Sequence, residues 1–224
     1  MNISVVIPAH NEEKHIGKCL DSLINQEEKP YEIIVVDNNS TDDTAGVVKR
    51  YKGVILVSKK ERGIIPTRNE GFDMAKGVVI ARCDADTMVP KDWVKNIALD
   101  FERDESIVAV SMPVLFSDIK WANRLVILFY LYMFIPRIFM GHYPLVGPSM
   151  AVKKSSWEKI RKELCTNAKE VHEDIDISFH VKKLGKIYHD GKTIALSSGR
   201  RMRYHPWSFF GEYAIRFFKM LRTH

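Results

Sequence analysis

The chain has 224 residues, 46% of them hydrophobic and 28% charged, with 12 Gly and 9 Pro. That composition excludes a disordered, collagen-like or low-complexity protein, and the length is enough to bury a large core without a disulfide or metal. Three widely spaced cysteines (Cys19, Cys83, Cys165) form no CxxC pair, which argues against a zinc-ribbon or disulfide framework and fits a reducing compartment. The net charge is +6, and six Lys/Arg against one Glu between Ser197 and His224 carry nearly all of it. The near-neutral body gives no basic track for nucleic acid.

In chain order, the opening runs directly into an apolar strand, Ile3 to Ile7, with no basic leader before it. Glu12 to Ile24 has helical spacing, and Glu32 to Val36 is again a strand, ending at Asp37. Thr44 to Tyr51 reads as a helix, Val54 to Val57 as a strand, Arg68 to Lys76 as a helix, and Val78 to Cys83 as a strand ending at Asp84. Lys91 to Phe101 is a helix and Ile107 to Val114 a strand. Short apolar runs separated by helices predict an α/β fold with a Rossmann-like, mostly parallel sheet and helices on both faces.

The second half is less regular. Ile119 to Met140 is an aromatic-rich helical stretch, in which Leu125 to Ile135 is apolar but too short to span a membrane. Val146 to Val152 returns to the sheet, and Ser155 to Leu164 is expected as a helix with a Ser cap. Asp174 to Leu184 is a further helix, followed by strands at Lys186 to His189 and Thr193 to Leu196. The expected division is a domain over 1–205, with halves 1–115 and 116–205, and an amphipathic aromatic and basic C-terminal helix over 206–224.

No Gly-x-Gly or GxxxxGK[ST] occurs, so neither common phosphate loop is present. Polar groups collect instead after the strands, where open α/β sheets bind ligands. Asp84-Ala85-Asp86 ends a buried strand, and residues i and i+2 of an extended segment share a side. Two such carboxylates suit Mg²⁺ or Mn²⁺ with substrate phosphates completing the shell, although Asp86 or Thr87 could equally cap a helix. Asp174-Ile175-Asp176 repeats the spacing in a helix, where the two side chains diverge. Asp37 stands at a sheet mouth, able to accept from a base or ribose, within a turn-forming run Asn38-Asn39-Ser40. Glu173-Asp174 opens a helix, as the helix dipole favours, and is also placed to supply a general base.

Together these segments resemble family 2 glycosyltransferases of GT-A fold. Val5-Val6-Ile7-Pro8-Ala9-His10-Asn11-Glu12 is similar to the family's first strand and nucleotide loop, and Ile33 to Asp42 to its second. Thr67-Arg68-Asn69-Glu70-Gly71, Cys83-Asp84-Ala85-Asp86, Gly147 to Val152 and His172-Glu173-Asp174 resemble its later motifs in order. The resemblance implies that Pro8, Ala9, Glu12, Asp37 and Asn39 hold the nucleoside and that Arg68 lies near the phosphates. It further implies that Asp84, Ala85 and Asp86 position the Mn²⁺ or Mg²⁺ diphosphate, with His205 as a third metal ligand and His189 as the competing candidate. Asp174 would be the base, and Glu173 would contact the acceptor. The family's Gly-Gly-Phe before Glu-Asp and its Gln-x-x-Arg-Trp after it are missing, and the latter absence argues against a processive synthase.

The expected activity is an inverting transfer from a nucleotide-diphosphate sugar, UDP favoured and GDP allowed, to a glycan or lipid-linked acceptor. The alternatives are a nucleotidyltransferase or a silent sugar-nucleotide or membrane-binding module. Trp207, Phe209, Phe210, Tyr213, Phe217 and Phe218 interleave with Arg216, Lys219 and Arg222. That pattern suits an anionic membrane surface, or a helix packed on the core with snorkelling basic stems. The expected location is cytoplasmic and peripheral at the inner face of the membrane.

Overall fold

The computed structural model describes residues 1–118, 137–168, 170–204, 207, 211, 215–217 and 219–220. Among the described residues nine strands run in chain order: β1 (Ile3–Ala9), β2 (Glu32–Asp37), β3 (Val54–Ser58), β4 (Val79–Arg82), β5 (Ile107–Ser111), β6 (Val114–Phe116), β7 (Met150–Lys153), β8 (Lys186–His189) and β9 (Ala195–Ser197). The described helices are α1 (Ile16–Ile24), α2 (Thr44–Lys49), α3 (Ile64–Met74), α4 (Trp93–Glu102), α5 (Lys154–Ile160), α6 (Glu173–Lys182) and α7 (Arg200–Tyr204).

Seven strands form one sheet in the order β3-β2-β1-β4-β7-β5-β8. All pairings are parallel except those of β7, which runs antiparallel to both β4 and β5. Every residue of β1 is buried, as expected for a central strand covered on both faces. Alternation divides the strand between two cores. Ile3, Val5 and Ile7 face the layer of α1, α2 and α4, with Trp93 at its centre. Val6 faces the layer of α3, α5 and α6, where Phe72 meets Trp157 edge to face at 5.0 Å. Register then brings Ala9, Asp37 and the end of β4 to one edge of the sheet.

Several boundaries differ from the sequence reading. The strand expected over 107–114 is two, because Met112-Pro113 interrupts the ladder and Pro has no N–H to donate. Its second part, β6, pairs with β9 in a separate two-stranded sheet. α1 begins at Ile16 rather than Glu12, since the Glu12 N–H is held by Thr44 Oγ1 at 2.7 Å. α3 begins four residues early, after Gly63 at φ 130°, and Pro66 is tolerated in its first turn where N–H groups lack helical partners. The expected Ser cap of α5 does not form. Ser155 lies inside the helix, and the capping position is Lys153, without a side-chain bond.

The helix expected over 119–140 lies outside the described residues except at its last four positions, which are helical. Of the tail, Phe217 and Met220 are buried against Ile65, Val171 and Ile175 in a third cluster. Among the described residues no helix is long and apolar enough to cross a membrane.

Candidate active site

A cavity of about 660 Å³ opens at the sheet edge where β1, β2 and β4 end. The first wall is Pro8, Ala9, His10 and Glu12, placed by β1. Asn38 laces this wall to the next loop. Its N–H donates to Ala9 O, its Nδ2 to Lys59 O and Glu61 O, and its Oδ1 accepts from the Gly63 N–H at 2.9 Å. A positive φ at Gly63 lets that N–H turn back, and α3 starts from there. Sequence reasoning treated Asn38 as ordinary turn chemistry; its bonds to the backbone of Ala9, Lys59, Glu61 and Gly63 become visible once the loops are brought together.

Asp84, Ala85 and Asp86 line the cavity at the end of β4. Burial and the adjacent Asp84 push Asp86 up to about 6, against the opposing pull of Arg200. Asp86 accepts from Ser197 Oγ at 3.2 Å and pairs with Arg200 at 3.2 Å. The same Arg200 guanidinium is paired with Glu12, whose second oxygen, Oε2, is buried without a hydrogen-bond partner. Three carboxylates from two loops thus crowd one end of the cavity around one arginine. Hard oxygen donors of this kind, one left orphaned, fit a small divalent cation. Among the described residues no three His, Cys, Asp or Glu side chains close on a single point, so such an ion would keep positions for other ligands. His205 lies outside the described residues. His189 lies away from this cavity, stacked on Tyr143 with ring centroids 4.0 Å apart, so its place as a ligand is not supported.

The opposite wall is the start of α6. Asp174 accepts from the N–H of Gly147 at 3.0 Å and of Ile175 at 2.9 Å. Burial and then Glu173 raise its pKa to about 6, with Arg82 and the two backbone donors resisting. A carboxylate poised there changes charge near neutral pH, as a general base requires. Asp176, two residues on, faces away toward the Cys165 N–H and His180, so the second Asp-x-Asp diverges as its helical setting predicts.

Two expectations are corrected. Arg68 does not face the cavity. It is fully buried beside the Trp157 ring (5.4 Å to the centroid), because the face of α3 that carries it packs on the sheet. Its Nη1 donates to Glu173 Oε2 at 2.6 Å. Glu173 lines the cavity, but both its oxygens are engaged: Arg82 Nη1 holds Oε1 while Arg68 holds Oε2. Burial would raise Glu173, yet Arg82 and Arg68 outweigh it and keep it below the usual carboxylate range. It is an internal counter-ion rather than a free acceptor contact.

Asp37 is buried at the end of β2 and is not among the residues lining the cavity; its Oδ1 lacks a hydrogen-bond partner. Asn39 is exposed in a turn at φ 56° and does not line the cavity. Arg82 and Arg200 were missed as site residues. For Arg82 the signal was present, a charged residue inside an apolar strand; for Arg200 the sequence showed a basic tail alone.

A mostly parallel sheet with one reversed strand and a carboxylate-rich cavity at its edge is a GT-A arrangement, and solved GT-A structures superpose on it. A mannosyltransferase from Pyrobaculum calidifontis, solved with GDP-Man and Mn²⁺, is 22% identical with a TM-score of 0.75, covering 99% of this chain and 64% of its own. S. aureus TarS, solved with UDP-GlcNAc, is 18% identical with a TM-score of 0.70, covering 88% and 58%. The chain belongs to glycosyl transferase family 2, whose family model matches residues 4–161. Among curated relatives, glycosyltransferase GlyA of Streptococcus pneumoniae is 28% identical over 120 residues, which is 52% of this chain and 17% of that protein. The chain therefore spans a minor part of that relative and less than two thirds of either solved chain.

Proposed function

We propose that this chain catalyses inverting transfer of a sugar from a nucleotide-diphosphate donor to a hydroxyl of a glycan or lipid-linked acceptor. The observation that carries the reading is one cavity with Asp84 and Asp86 on one wall and Asp174, poised near 6, on another. A carboxylate on a separate element from the diphosphate end can deprotonate the acceptor from the face opposite the leaving group. Asp174 takes the proton at Oδ1 or Oδ2 while Gly147 and Ile175 hold its plane. Asp37 Oδ1, buried and unpartnered, would accept an imide N–H, which favours a uracil base and makes UDP the first choice. Asp86, with Asp84, would hold Mn²⁺ or Mg²⁺, which when bound neutralises charge on the departing diphosphate. The P. calidifontis and TarS complexes, with GDP-Man and UDP-GlcNAc, support the donor class.

We further propose that the protein acts at a membrane surface. Ile138, Phe139, Trp207 and Ile215 are exposed, and Phe139 meets the Phe217 ring with centroids 6.3 Å apart. Arg137, Arg203 and Lys219, each exposed, stand near them in sequence, a mixture suited to an anionic lipid surface. Sedimentation with phosphatidylglycerol vesicles should bring the protein down, and equal recovery with and without vesicles would remove this part.

The donor reading is tested by thermal melting with UDP or GDP, each with and without Mn²⁺. One nucleotide at about a hundredfold excess over its dissociation constant should add about 2.7 kcal/mol, and only with metal. No shift from either nucleotide would reject the reading.

A further inference from the structure

We infer that Arg82 is a positioning residue for transfer: one guanidinium ties Asp84 to Glu173 at the head of α6, fixing the donor side and the base side of the cavity relative to each other. The inference rests on the proposed function. Arg82 closes β4, whose other residues are apolar, and it is 2% exposed. Burying a guanidinium there is costly unless its charge and N–H groups are used. Nη2 donates to Asp84 Oδ1 at 3.0 Å, and Nη1 donates to Glu173 Oε1. Arg68 then fixes the other oxygen of Glu173, so the first turn of α6 cannot shift without breaking an ion pair.

Gly147 boxes the fork in. A Cβ at that position would lie 2.6 Å from Arg82 Nη2 and 2.9 Å from Cζ. The Gly147 N–H is also the donor that holds Asp174 Oδ2. One residue therefore leaves room for the arginine by lacking a Cβ and orients the base with its amide. The charged groups facing Asp174 are Glu173 from its own helix, Arg82 from β4 and Arg68 from α3. Two separate nitrogens in one rigid plane serve two carboxylates at once, which a lysine ammonium on a flexible stem cannot reproduce. A carboxylate displaced by about 1 Å from its productive place costs roughly a hundredfold in rate.

The test compares Arg82→Met and Arg82→Lys with wild type in the full chain, with Mn²⁺ and UDP-glucose, UDP-N-acetylglucosamine or GDP-mannose. Donor hydrolysis by water is followed, so no acceptor is required, and rates are scaled to the folded fraction from circular dichroism. Both variants should lose about a hundredfold in kcat with a smaller change in KM. Wild-type kcat in Arg82→Lys would overturn the inference, because charge alone would then suffice. A loss confined to KM would overturn it too. If Arg82→Met does not fold, Gly147→Ala displaces the fork while keeping the charge and should lower kcat in the same direction; an unchanged kcat there would count against the tie. Melting of the ligand-free protein gives an independent readout. The losses from Arg82→Met and Glu173→Gln should be less than additive in the double variant, and full additivity would refute the contact. If wild type hydrolyses none of the donors, the proposed function fails, and the melting cycle still decides whether Arg82 and Glu173 act together.

Discussion

Glu173→Gln separates two roles for the carboxylate ahead of the base. If Glu173 merely touched an acceptor, its loss would leave the ligand-free protein as stable as before. In this structure it is the shared counter-ion of Arg68 and Arg82, whose side chains are 0% and 3% exposed. The substitution keeps the shape, but its amide nitrogen must face the N–H groups of one arginine, and two buried cations lose their neutralising charge. Breaking a buried pair by removing one partner costs about 3–5 kcal/mol. For a domain of this size each kcal/mol is worth roughly 2–4 °C, so the melting temperature should fall by roughly 6–20 °C. The assay is thermal unfolding of the ligand-free protein by far-ultraviolet circular dichroism at pH 7.5. The pH dependence gives a second check. Glu173 is held below its ordinary value of 4.5, so its stabilisation is present above that pH and drains away as pH falls through the lower folded value. The gap between wild type and variant should therefore narrow in acid. A drop of less than about 2 °C at pH 7.5 would refute the counter-ion argument.

Asp174→Asn should keep the metal-dependent nucleotide shift and lose transfer by about 10²–10⁴-fold, while the wild-type rate rises with pH through about 6; a flat profile would move the base elsewhere. Asp86→Asn should abolish the Mn²⁺-dependent nucleotide shift yet leave the ligand-free protein melting no lower than wild type at pH 7.5. The reason is that burial and Asp84 make the ionised Asp86 unfavourable despite Arg200, so a lower melting point would contradict the carboxylate crowding. Asp100 is buried with Oδ2 unpartnered and is pushed up to about 6 by burial and by Asp190. Asp100→Asn should raise the melting temperature by a few degrees at pH 8. The gain should disappear below about pH 4, where Asp100 is protonated in both states; a variant less stable at pH 8 would show that its carboxylate has a partner that matters more.

The alternation of apolar runs and helical spacing was enough to specify an α/β sheet and nearly all of its elements, because burial on two faces writes itself into strand composition. Asp84, Asp86 and Asp174, which line the cavity, were equally legible, since each interrupts or follows an apolar segment. The sequence could not show where side chains turn once helices pack. Arg68 sits beside an Asn and a Glu in a polar helical stretch, yet the face carrying it meets Trp157 and the sheet. Glu173 resembles an exposed first-turn acid until Arg82, 91 residues away in sequence, is brought onto it. Arg200, 188 residues from Glu12, belongs by sequence to a basic tail and in three dimensions to the carboxylate end of the cavity. Local pattern determines which elements form, because backbone propensity and apolar periodicity are set by residues within a few positions of one another. Which charges neutralise one another is decided by parallel crossovers that join the ends of distant strands, and that pairing exists only in the folded chain.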